Sequence, residues 1–148
     1  MRPWCRPCRS SGGSAVAKTR FEIAQPVIEA ELAKPYAYGV ADCFMFGCRM
    51  ADAFDGSRGM VATYGGSYKT LTGAQRALRR RGFTSLVEFF STHLEQCAPG
   101  AAQIGDLAVI QLADGEHVGV CVGLKFITKT ERGRSLHDVS AVKAAFRT

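Results

Sequence analysis

Two side chains in this sequence have the chemistry of a nucleophile and a base, and each sits in a setting that suits the role. Cys43 follows Asp42 where Pro35-Tyr36-Ala37-Tyr38-Gly39-Val40-Ala41 reads as a short extended turn running into a helix. The first turn of a helix offers unpaired N–H groups and the positive end of the macrodipole. Both favour the thiolate, which is the nucleophilic form. His117 opens a strand directly after the hairpin signal Asp114-Gly115. It alternates with Gly119 and Cys121, which places the three on one strand face. Small residues on that face leave room for a packed element such as the Cys43 helix. Free cysteines usually sit in the core as small apolar residues, and a lone histidine at a strand end is more often a surface or capping residue. The pair nevertheless matches the arrangement in which a base takes a thiol proton and a third polar group orients the imidazole.

The elements that must position this pair follow from periodicity and caps. Residues 21–33 place Phe21, Ala24, Ile28 and Leu32 at helical spacing, with Pro26 required in the first turn or at a kink. The Cys43 helix starts at Asp42, a good N-cap, and runs to about Asp55. It is apolar around much of its circumference, as a central buried helix is. Residues 56–70 read as a glycine-rich loop without a phosphate-cradling pattern. A short helix spans Thr72–Arg81 and closes on Gly82; Ser85-Leu86-Val87-Glu88 is a capping-box signature that opens another through about Glu95. After Ala98-Pro99-Gly100 the pattern turns to strands: 105–112, 117–123, 125–130, and short ones near 136–139 and 145–148. Helices first and an antiparallel meander after them is an α+β domain.

Composition narrows the function. At 148 residues and 47% apolar content the chain is one globular domain with a tail. No run reaches the roughly 18 apolar residues of a membrane span. The net charge is +6, but five of the 19 basic residues fall in residues 1–20 with no acid. The rest of the chain holds 14 basic against 13 acidic residues, so a broad nucleic-acid-binding face is not indicated. Residues 1–20 read as a disordered basic leader ahead of a domain over 21–148. Cys5 and Cys8 form a lone C-x-x-C without the second pair a structural zinc needs, so no metal and no cofactor is expected. Cys48, Cys97 and Cys121 read as core thiols. The arginines Arg76, Arg79, Arg80 and Arg81 raise a helix-turn-helix reading, but the helix after them is nearly without positive charge.

Tyr36-Ala37-Tyr38-Gly39 leading to Asp42-Cys43, then Gly105-Asp106-Leu107, then His117-Val118-Gly119-Val120-Cys121-Val122-Gly123, resembles the NlpC-type cell-wall cysteine peptidases over roughly residues 30–128. The likeness is nearest to the compact branch encoded in phage and prophage tail gene clusters. It implies a papain-like α+β fold, with N-terminal helices packed on a C-terminal antiparallel meander or half-barrel. It implies hydrolysis of amide bonds in peptidoglycan stem peptides through a thioester. Cys43 then resembles the nucleophile and His117 the base. Tyr36, or Tyr38, resembles the tyrosine near the thiol, and Asp42 the residue that caps the nucleophile helix and borders the substrate. Expected partners are a peptidoglycan peptide and phage tail proteins, with no nucleic acid. The expected locations are the cytoplasm during synthesis and the virion tail or host envelope during action. Two departures stand out. Phe44-Met45 replace the usual Ser-Gly and are expected to narrow or reshape the cleft. The strand after His117 offers only Thr128 as orienter of the imidazole. These departures support an alternative, a structural tail-assembly or tail-tip protein that keeps the fold without turnover.

Overall fold

The computed structural model describes residues 16–148. The Cys5/Cys8 pair and most of the expected leader lie outside the described residues. Five helices come first: α1 (Arg20–Ala33), α2 (Cys43–Phe54), α3 (Met60–Tyr64), α4 (Leu71–Arg80) and α5 (Leu86–His93). Six strands follow: β1 (Gln96–Cys97), β2 (Leu107–Leu112), β3 (Gly115–Cys121), β4 (Phe126–Thr130), β5 (Gly133–His137) and β6 (Val142–Phe146). The fold is α+β, with helices packed against one six-stranded antiparallel sheet in the order β1-β6-β2-β3-β4-β5.

The expected meander accounts for β2 to β5. The chain then returns, and β6 pairs with β2 on the far side while the two-residue β1 pairs with β6. No local pattern announces this return, because it is set by the register Leu107↔Phe146 and Gln96↔Phe146 between residues far apart in sequence.

Helix α2 is the platform. Asp42 caps it by accepting from Met45 N at 2.8 Å, and Met45, Phe46, Cys48, Met50 and Ala51 are fully buried. Each large apolar side chain contributes about 1.5–3 kcal/mol on burial, which fixes the helix against the sheet. A Cβ at Gly47 would stand 2.6 Å from Val118 Cγ1, so it is the helix that supplies the small residue at the closest approach. This corrects the expectation that Gly119 opens that space. Gly119 pairs with Ala108 and faces Ile110, whose Cδ1 would lie 2.5 Å from its Cβ, on the sheet face covered by Ala102, Ala141 and Val142.

Other elements differ in detail from their sequence expectations. Pro26 lies in the interior of α1 and not in its first turn, and the helix runs on to Ala33. The supposed loop 56–70 contains a 3-10 turn (Gly56–Arg58) and α3. The α3 N-terminus is held from a distance, since the Asp52 carboxylate accepts from Met60 N and Val61 N at 2.9 and 3.0 Å. In the capping box, Ser85 accepts from Glu88 N, but the Glu88 carboxylate turns to Thr84, taking its N–H and hydroxyl.

The domain begins before residue 21. Arg20 donates to Asp106 Oδ1 at 2.8 Å, to Ile104 O at 2.7 Å and to Thr148 Oγ1 at 2.6 Å, and stacks on Phe54. The buried Asp106 also accepts from Gln103 N and Thr148 N. The Gly-Asp-Leu segment is therefore a clamp between the first helix and the last residue.

Candidate active site

The turn before α2 is built around Gly39. Its φ is +77°, and a Cβ there would lie 2.1 Å from Tyr68 O, so only glycine fits. The turn delivers Asp42 with both oxygens occupied. Oδ2 accepts from Gly39 N at 2.9 Å and from the Tyr68 hydroxyl at 2.6 Å, and Oδ1 caps the helix. Asp42 is buried and committed internally. It holds the nucleophile helix in place, and it is also among the residues that line the cleft beside Cys43.

Cys43 opens α2 and lies against β3. Its Sγ is 4.0 Å from His117 Nδ1 and accepts from Val118 N at 3.5 Å. Of the first four N–H groups of α2, Met45's goes to the Asp42 carboxylate and Phe46's to the Asp42 carbonyl. Those of Cys43 and Phe44 are left toward the sulfur, where both act on the thiol. They cannot by themselves make a standing thiolate. Burial pushes the Cys43 thiol up to about 12, and the neighbouring Asp42 carboxylate adds to the rise, while the N–H groups of Val118, Cys43 and Phe44 pull the other way. The field of the helix terminus is the weaker of the two effects, because Cys43 is only 8% exposed.

His117 is inside β3, two residues past its start at Gly115. Its Nε2 is 2.8 Å from Asp114 Oδ1. A carboxylate only accepts, so in the neutral ring Nε2 carries the proton and Nδ1 faces the thiol with its lone pair. That is the tautomer a general base requires. The orienting group is thus Asp114, at the hairpin turn before the histidine, and not Thr128. Thr128 sits opposite Gly119 on β4, fully buried, and its hydroxyl donates to Val118 O at 2.6 Å. An acid three residues before a histidine across a tight turn was the available signal. Asp114 also reads as turn chemistry, and one residue serves both purposes.

Cys43, His117 and Asp114 line a cleft of about 270 Å³. Tyr36 and Tyr38 form one lip, with ring centroids 5.2 Å apart and edge to face. The Tyr38 hydroxyl bonds Glu131 in the β4–β5 turn, tying the lip across to the sheet. Burial and the nearby Cys43 sulfur raise the Tyr36 phenol, so it stays a hydrogen-bond donor. Phe44 lines the cleft and packs on Phe89 at 5.2 Å and Tyr64 at 6.2 Å. Met45 points into the core and leaves the cleft alone. The expected narrowing by Phe44-Met45 is therefore an aromatic floor made by Phe44 only. The far wall is α4, with Arg79 and Arg81 among its lining residues. Cys48 is buried within α2 and lines no part of the cleft. Among the described residues no group of three or more His, Cys, Asp or Glu side chains could hold a metal ion. No described helix is long and apolar enough to cross a membrane.

Residues 18–148 match the family described as Domain of unknown function (DUF6950), and the chain belongs to that family. No curated protein matches the chain.

Proposed function

We propose that this protein is a cysteine hydrolase of papain-like, NlpC-type architecture that cleaves amide bonds in peptidoglycan stem peptides, in a phage or prophage tail setting. The observation that carries the reading is the line Cys43 Sγ, His117 Nδ1, His117 Nε2, Asp114 Oδ1 in the lining of a cleft. The order of motifs along the chain supports the substrate class. In the reaction, His117 Nδ1 takes the Cys43 proton as sulfur bonds the scissile carbonyl carbon. The oxyanion meets the N–H groups of Cys43 and Phe44. Collapse breaks the C–N bond, and His117 returns the proton to the leaving amine. Water, activated by His117, then opens the thioester. The 4.0 Å separation of sulfur and nitrogen shortens when substrate displaces solvent, as such contacts do.

A second reading has its own support. The thiol is nearly buried and its pKa is high, which suits a tail-structure protein that keeps the fold without turnover. Mass spectrometry of stem-peptide fragments incubated with the full chain separates the two. The hydrolase reading requires product pairs that together gain one water, absent with Cys43→Ala. Intact fragments with folded protein would favour the structural role.

A further inference from the structure

The cleft has a charge imbalance that the reaction chemistry does not use. Three acids line it, and each is engaged. Asp42 is held by its three internal donors, Asp114 by His117, and Glu116 by Lys143 Nζ at 2.9 Å and Leu86 N at 3.0 Å. Two arginines of the opposite wall, Arg79 and Arg81, also line it, and both are exposed. Among the described residues neither has a carboxylate within the 4.0 Å reach of an ion pair.

The simple account of arginines at a helix C-terminus is that they serve its last carbonyls. Here backbone groups meet much of that need. Arg81 N bonds the carbonyls of Ala77 and Leu78, Gly82 N bonds that of Arg79, and Phe83 N bonds that of Leu78. Arg81 is instead laid over the Tyr64 ring, 4.4 Å from its centroid. That stacking fixes the direction of the guanidinium and leaves its in-plane donors for another partner. Arginine forks match carboxylates, with two parallel N–H···O bonds. A cleft of this size takes a fragment of a peptide rather than a free ion.

We infer that the α4 wall selects acyl groups bearing a carboxylate, with Arg79 and Arg81 as specificity-determining residues that hold it while Cys43 attacks the scissile carbonyl. This rests on the hydrolase reading for the attack, but not for the binding. The guanidinium groups are partly solvated, so the preference weakens as salt rises.

Two experiments on the full chain test it. The first compares alkylation of Cys43 by iodoacetate and iodoacetamide. In each the sulfur bonds the reagent's methylene carbon, iodide leaves, and His117 takes the thiol proton; only the first reagent is anionic. The rate ratio of iodoacetate to iodoacetamide should fall about 3- to 10-fold in Arg79→Gln and further in the Arg79→Gln/Arg81→Gln pair, and adding salt should shrink the difference. A ratio indifferent to these substitutions overturns the inference. The second needs no thiol chemistry: calorimetric titration of N-acetylglutamate against N-acetylglutamine. Tighter binding of the acid that Arg79→Gln abolishes is expected. Equal binding, absent binding, or a preference that survives both substitutions refutes it. An acid preference with a Cys43 that ignores His117 would keep the anion site and sink the hydrolase.

Discussion

Asp114 is the residue on which the site turns, and its surroundings set how much it can matter. Its side chain is 72% exposed, and His117 Nε2 is the partner of its carboxylate. The hydrogen bond from His117 holds its pKa below the ordinary carboxylate range, so it is charged throughout the neutral range. Asp114→Ala removes no buried contact, and a surface change of this kind shifts stability by about 0.5 kcal/mol or less. Its effect on the imidazole is larger but bounded. An exposed ion pair contributes about 0.2–1 kcal/mol, which at 1.36 kcal/mol per tenfold in rate is at most about fivefold. A buried aspartate in the same role is worth far more, about 10⁴-fold when amidated in a serine protease. The expected loss is therefore about two- to fivefold in the rate of Cys43 carbamidomethylation at neutral pH, with an unchanged Tm. An unaltered rate would mean Asp114 does not orient His117. A collapse as complete as that of His117→Gln would mean the carboxylate is shielded from solvent and acts as a buried partner of the imidazole.

Three further outcomes follow from the same geometry. Asp42→Ala leaves Gly39 N, Met45 N and the Tyr68 hydroxyl without an acceptor. With a cap worth about 1 kcal/mol and about 1–3 for a buried orphaned donor, urea unfolding should show a loss of about 3 kcal/mol. Thr128→Val removes the bond to Val118 O and should cost about 1 kcal/mol in stability. It should leave Cys43 labelling at the wild-type rate, since Thr128 does not reach His117. Burial raises the Cys43 thiol to about 12 and raises Cys48 as well. A pKa raised by folding contributes stability that is whole below the unfolded value of about 8.5 and is lost as pH climbs toward the folded one. Tm should therefore fall through the alkaline range, and less steeply in Cys48→Ala.

The parts of the site that the sequence made legible are those governed by local rules. Asp42 is a cap residue immediately before an apolar run, and it caps. Asp114-Gly115 between two β-rich segments is a hairpin signal, and a hairpin joins β2 and β3 there, its two turn residues being Ala113 and Asp114 with Gly115 paired to Leu112. What stayed hidden depends on residues distant in sequence or on one residue doing two things. Helix α3 was hidden because its cap, Asp52, belongs to the preceding helix. The return of β6 to β2 was hidden because only tertiary register defines it. Arg20 looked like part of a basic leader, and its partners Ile104, Asp106 and Thr148 lie 84 or more residues away. Thr128 was placed on a strand next to the His117 strand, as it is, but a hydroxyl directed at Val118 O in a paired ladder is not available to an imidazole. The high thiol pKa was missed because helix-end fields can be read from sequence and burial cannot.

The pH profile of Cys43 carbamidomethylation in the full chain, read by peptide mass mapping, tests the thiol–imidazole pair most directly. Labelling is expected in the neutral range. It should disappear in His117→Gln while Tm holds, leaving only reaction that grows as pH climbs toward the value of about 12 set by burial. Labelling confined to the alkaline range in both proteins, with no difference between them, would make Cys43 a structural thiol and remove the catalytic pair.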